Sequence, residues 1–428
     1  MTHILIQHGR IIDPAQHYDA IGDLQIVEGK IIEHSPHFTP EITIDASQQL
    51  VIPGLIDSYA AIRDEAGYLS QPELNAALAG GISTMVCPPD GAQVIDAPHR
   101  VRRLLPTKTL ALSPHVYPVG ALTQGLQGQH IADLTALHQA GCIAFSHALA
   151  PSPLNILRNA YAYAASFALP IIIQANEPSL GRCNGIHEGA VNARLGLPSI
   201  PELAETIAIA QHLLLIEATQ VKAHFTGIST AAGVAQIRQA QQQGLAVTAD
   251  VSIAHLHLTE VDLLDFNSNC HLFPPLRSQR DQFALRQGLQ QGVLSGICSY
   301  HQPQTALSKR HPFAQTSLGC TGLETLLPLG LHLVAQQILD LPTLVARLTH
   351  GPAQYLGLNR GHLAPGALAD ICIVDPKARS TVNPALFKSN GHNSPFSHWE
   401  LPGRVMHTLI EGKLAYSANT LENSDQSL

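Results

Sequence analysis

The feature that most constrains this chain is an alternation. Between a β-rich start and a β-rich end, short apolar runs of strand length recur, and each is followed by a helical pattern or by a loop leading to one. The runs occupy 51–59, 82–87, 116–122, 142–148, 171–176, 222–228, 246–253 and 294–300. The clearest helix spans 201–219. There Leu203, Ile207, Ala210 and Leu214 share one face at helical spacing, and Pro201 and Glu202 suit a first turn. Eight alternations in roughly 290 residues predict an α/β fold, a (β/α)8 TIM-like barrel, placed at 53–358.

The first fifty residues hold three strand-like runs, HILIQHGRIID, DLQIVEGKII and EITIDASQQLVIPG, and the far end repeats the style with LADICIVD and VMHTLIEGKLAY. Gly and Asp punctuate them as turns do. The two termini are therefore expected to meet in one small β-sandwich domain, 1–52 with 359–418, followed by a polar tail at 419–428. The length of 428 residues suits one large barrel plus a small domain.

A net charge of −8 disfavours nucleic acid or an anionic membrane surface as partner. No run of about 18 apolar residues suggests a membrane span, and the first residues lack a signal-peptide core. Seven cysteines without a CxxC pair read as reduced thiols of a cytoplasmic protein. The 24 histidines are spread from His3 to His407, which reads as composition, because a metal site needs spacing.

Catalytic chemistry in a TIM-like barrel belongs at the C-terminal ends of the strands. Those ends carry Asp57 to Arg63, Phe145 to Ala148, Gln174 to Asn176, Phe225 to Gly227 and Ser299 to His301. Only His147 and His301 offer ligands there, with His224 deeper in strand six, and no lysine is present. This trio reads as one lining histidine and two hydrogen-bonded ones. His255 and His257 form an HxH pair after strand seven without partners from strand one. Cys142 and Cys298 lie within strands, as structural thiols do. No GxSxG, P-loop or GxGxxG motif occurs.

Long segments carry a resemblance: VIPGLID at 51–57, GGISTMVCPP at 80–89, EGAVNARLGLPSIPELAE at 188–205, PPLRSQRD at 274–281, GLETLLPL at 322–329, LAPGALADICIVDP at 363–376 and NSPF at 393–396. Over nearly its whole length the chain resembles the dihydroorotases of the amidohydrolase superfamily. The resemblance implies a zinc site, and the departures fall on it. Where the family has two zinc-binding histidines after strand one, this chain has Tyr59 and Ala61. The strand-four Asp falls at His147 or Ala148, the strand-five His at Gln174, the strand-six His at Gly227, and the strand-eight Asp, ligand and general acid/base, at Tyr300. Arg63 stands where the family's Arg grips the substrate carboxylate, either as a vestige of that contact or in a salt bridge with Asp64 or Asp90. Its Asn partner is Asp90, and the His following strand eight is Gln304.

Zinc lowers the pKa of bound water from about 15.7 to about 7, and losing that shift costs roughly eight orders of magnitude in hydroxide, about 12 kcal/mol. The expectation is a pseudo-dihydroorotase with no catalytic residues and no zinc. The resemblance extends to the inactive dihydroorotase-like chains that partner bacterial aspartate transcarbamoylase in pyrimidine biosynthesis, which implies a hetero-oligomer with that enzyme's catalytic chain, with a homodimer also open. Two alternatives stand beside it. One is an amidohydrolase acting on a cyclic amide through a relocated or metal-free site. The other is a sensor that binds a carboxylate or pyrimidine through Arg63.

Overall fold

In the computed structural model, residues 3–105, 112–181 and 183–418 are described; the expected tail at 419–428 lies outside them. Eight parallel strands follow one another around a barrel in chain order: Leu55–Asp57, Ile82–Cys87, His115–Ala121, Ala144–Ser146, Ile171–Ile173, Ala223–Phe225, Val247–Ser252 and Gly296–Cys298. These are called strands one to eight below. The seam between strands eight and one is spanned by a parallel bridge from Ala60 to His301, with the Ala61 amide donating to the His301 carbonyl at 2.8 Å. Asp57 ties the same seam from within, accepting the Ser299 amide at 2.9 Å and the Ser299 hydroxyl.

All eight expected strands are present, with one difference. The run at 51–59 is divided at Gly54, whose amide donates to the Asp370 carbonyl. Leu50–Pro53 pairs with His3–Asp13 and Ile371–Thr381 in the terminal sheet, and only Leu55–Asp57 enters the barrel. A continuous apolar run is buried on both faces in either sheet, so its pattern does not reveal where it changes sheets.

Both ends of the chain do build one sheet. It joins His3–Asp13, Tyr18–Val27, Lys30–Ile32, Ile42–Asp45 and Leu50–Pro53 to Ile371–Thr381, Glu400–Ile410 and Lys413–Ser417. The path curls so that hairpins from opposite ends of the chain touch tip to tip. Gly29 and Gly412 sit at those tips with φ of +79° and +70°, and a Cβ on Gly412 would stand 2.8 Å from the Gly29 Cα. Only glycine suits both the left-handed turns and this approach.

The helix Glu202–Thr219 turns a different face inward from the one its apolar spacing marks. Leu203, Ile207 and Leu214 are 57, 36 and 68 % exposed, while Ala204, Glu205, Ala208, Ile209, His212 and Ile216 are buried. The inward face holds small residues that allow close approach, and Glu205 is buried because it accepts the Thr230 amide at 3.0 Å, the Thr230 hydroxyl at 2.6 Å and both donors of Ser229. Hydrogen bonding made that carboxylate a core residue.

Candidate functional site

Tyr59 and Tyr300 follow strands one and eight, which the Ala60–His301 bridge holds side by side. Their rings stack with centroids 4.2 Å apart and planes 9° from parallel. The Tyr300 hydroxyl accepts from the Gln174 amide at 2.6 Å, and the Tyr59 hydroxyl from Gln302 at 3.3 Å. Burial, reinforced for Tyr59 by the Asp90 carboxylate, pushes both phenols well above their ordinary range, so both stay neutral. Tyr300 has φ +53°, a conformation that costs a bulky side chain about 1–3 kcal/mol.

Gly227 completes the arrangement. At φ +70° it lies so close to Tyr300 that a Cβ would stand 2.7 Å from the phenol oxygen. The missing side chain of strand six is thus the space that Tyr300 fills. Beside Tyr59, a cavity of about 10 Å³ remains, lined also by Ala148, Gln174 and Thr226 among others. That is room for one water at most.

Of the two strand-four candidates, Ala148 lines this cavity. His147 points away from the axis, with its ring 5.1 Å from His212 of the helix layer. Burial pushes His147 down to about 4, and its buried Nδ1 has no partner among the described residues. The sequence positions thus divide. Tyr59, Ala148, Gln174, Gly227 and Tyr300 converge, Ala61 lines a depression above them, and His147 stands outside.

These residues do not fit a zinc ion. Two stacked phenols, an amide, an alanine and a glycine offer no set of thiolate, imidazole or carboxylate ligands, and no group of three His, Cys, Asp or Glu able to hold a metal occurs among the described residues. His224 and His301 are committed elsewhere. His224 bridges Thr248 at 2.8 Å and Asp250 at 3.1 Å, and His301 meets Glu73 at 2.8 Å while accepting the Gly322 amide. His255 reaches Ser252 and the Pro274 carbonyl, and His257 the Leu329 carbonyl. Cys142 and Cys298 are buried, with thiols raised by desolvation, and all seven cysteines are free.

Above the plug lies an open depression of about 450 Å³ bordered by Tyr59, Ala61, Arg63, Asp90 and Gln304. Arg63 forms no salt bridge with Asp64 or Asp90. Its guanidinium donates instead to the backbone carbonyls of Gln93 at 2.5 Å, Pro88 at 3.0 Å and Asp90. The Asp90 Oδ1 is buried without a partner among the described residues, and desolvation raises the pKa of the carboxyl. The Gln304 amide donates to Asn393 at 2.9 Å. Arg63 therefore braces the loop after strand two, and neither Asp90 nor Gln304 adds a cation for a carboxylate ligand.

The sequence reading missed Asp250, the polar centre of the barrel. It accepts from Ser58 at 2.7 Å, Thr226 at 3.0 Å, the Gly227 amide at 2.7 Å and His224. Burial alone would raise its pKa, but His224 and these hydrogen bonds outweigh it and hold the carboxyl below its ordinary value. The available signal was a charged residue inside an apolar strand, ADVS.

The amidohydrolase family model matches residues 157–415, and the dihydro-orotase-like model matches 48–232. A dihydroorotase-like protein of Pseudomonas aeruginosa is 43 % identical over 421 residues, covering 96 % of this chain and 99 % of that one. A dihydroorotase of Syntrophus aciditrophicus is 36 % identical, with 96 and 99 % covered. Among solved structures, an L-hydantoinase of Arthrobacter aurescens superposes with a TM-score of 0.84 at 22 % identity, covering 97 % of this chain and 96 % of that one. The barrel with its two-ended β sheet is thus an amidohydrolase fold. The chain belongs to the dihydroorotase-like family. No helix among its described residues is long and apolar enough to cross a membrane.

Proposed function

We propose that this chain is a catalytically inactive, zinc-free member of the dihydroorotase-like family that serves as an assembly partner of the aspartate transcarbamoylase catalytic chain in pyrimidine biosynthesis. The observation that carries this reading is the stacked Tyr59–Tyr300 pair, which stands where the resemblance puts a zinc-binding His and the ligating Asp, beside a cavity of only about 10 Å³. A barrel with its axial site plugged and its core intact acts through its surface. The outward apolar residues of helix Glu202–Thr219 favour that role, since exposed apolar patches mark interaction sites. The hydrogen bonds of Arg63 to three backbone carbonyls count against the carboxylate-sensor alternative.

Co-expression with the transcarbamoylase, followed by size-exclusion chromatography and elemental analysis, tests the proposal. The expected result is one large complex, a transcarbamoylase less active or less stable when alone, and no stoichiometric zinc. Separate elution at micromolar concentration, with the transcarbamoylase fully active alone, defeats the partnership. Tightly held zinc or dihydroorotate turnover by the purified chain defeats the inactivity.

A further inference from the structure

A second cavity, of about 470 Å³, opens at the opposite end of the barrel. Its wall runs along the N-terminal ends of strands five to eight. Pro170 precedes strand five, Lys222 precedes strand six, Val247 begins strand seven and Ser295 precedes strand eight. The helices Leu341–Leu348 and His350–Leu356 close it with Arg347 and Gln354. It therefore shares no lining residue with the tyrosine plug or the depression above it.

The electrostatics of this cavity run against the molecule as a whole. The chain carries a net charge of −8, yet the cavity is lined by Lys222 and Arg347 and by no carboxylate. Neither cation forms an ion pair among the described residues. Among the described residues, Arg347 makes one hydrogen bond, from Nη2 to the Leu289 carbonyl at 3.1 Å, and its buried Nε has no partner. Burial pushes its pKa down, opposed by the Asp340 carboxylate, which itself caps the following helix by accepting the Thr343 amide at 2.7 Å. A part-buried guanidinium with unused donors, in a cavity that a lysine also lines, is an arrangement that an anion completes.

We propose that this cavity binds a small phosphate-bearing anion between Lys222 and Arg347. Two cations match a dianion better than a single carboxylate, and a guanidinium with an ammonium is a common pairing for phosphate oxygens. The volume leaves room for an organic body behind the phosphate. The stacked rings of His224 and Tyr355, 3.7 Å apart, form the inner wall. His224 continues from that wall to Asp250, so the occupied cavity would abut the polar network under the plug.

The test is thermal unfolding and titration calorimetry of the full chain with inorganic phosphate and with adenosine monophosphate, against chloride at equal ionic strength. The wild-type midpoint is expected to rise saturably with phosphate by a few degrees. Lys222 is exposed and its side chain has no hydrogen bond among the described residues, so Lys222→Gln is expected to leave the fold intact. That variant should bind at least about tenfold more weakly, with Lys222→Arg retaining affinity. Tighter binding of the monophosphate than of phosphate identifies a phosphoester ligand; equal binding identifies the phosphate group alone. A midpoint rise equal to that in chloride, or one unchanged in both Lys222→Gln and Arg347→Gln, is a general salt effect and overturns the proposal.

Discussion

The Tyr300 hydroxyl lies 2.6 Å from the Gln174 amide nitrogen, so the ends of strands eight and five are joined across the barrel mouth. Gln174→Ala removes the donor and leaves a buried phenol without it. The expected loss is about 1–3 kcal/mol in urea denaturation. The double variant with Tyr300→Phe should lose less than the sum of the two single variants, because both delete the same bond.

Gly227 is set by contact as well as by backbone. Gly227→Ala places a Cβ against the Tyr300 ring at a φ that alanine avoids. We expect a destabilisation of about 2–4 kcal/mol by denaturant titration. Tyr300→Ala in the same chain should recover part of it by removing the obstacle.

Restoring histidines on one strand does not rebuild a metal site. Tyr59→His with Ala61→His is expected to show no turnover of dihydroorotate in an absorbance assay, because Gln174, Gly227 and Tyr300 still withhold ligands and a general base. Measurable turnover by this variant would show that Gln174, Gly227 and Tyr300 do not bar the metal chemistry.

Acid should unfold the protein early. Burial holds His147, His255 and His271 down to about 4. In the unfolded chain each titrates near 6.5, so their contribution to stability is complete above that value and is lost as pH falls from 6.5 toward 4. At pH 5 each has forfeited on the order of 2 kcal/mol. Asp57 acts with the opposite sign. Its pKa is raised by burial to about 6, so it favours the folded state as pH falls below 6, by about 1.4 kcal/mol at pH 5. Glu324, raised by burial to about 7, acts with the same sign as Asp57, while His257, held down by burial to about 3, adds to the loss. Four imidazoles outweigh two carboxyls, and the midpoint of urea unfolding should drop between pH 6.5 and 5. A flat profile over that window would contradict the burial of these rings.

The eight barrel strands were legible because each is an apolar run between turn residues, and the two β ends because their runs resemble each other. Convergence at the axis was legible only through the family's motif, since nothing in Tyr59 or Tyr300 alone marks them as neighbours. The inward face of Glu202–Thr219 was not legible, because Glu205 is buried by partners 24 and 25 residues away and periodicity sees only local spacing. His147 and Ala148 part company in the turn after strand four, where Ala148 takes φ +51°, and strand periodicity does not extend to that turn. Arg63's partners are carbonyls, which every residue supplies and no sequence pattern singles out.

The tip-to-tip contact of Gly29 with Gly412 has a consequence for the chain as it leaves the ribosome. The strand Leu50–Pro53 awaits its antiparallel neighbour Ile371–Thr381, more than 300 residues later, and the Gly29 turn awaits Gly412 later still. Until then the nascent N-terminal strands present an open edge, the kind of surface on which incomplete chains aggregate. The turn at Gly29 gains its neighbour only when Gly412 arrives, so termination a short distance before Gly412 should yield insoluble product even though every barrel strand is present.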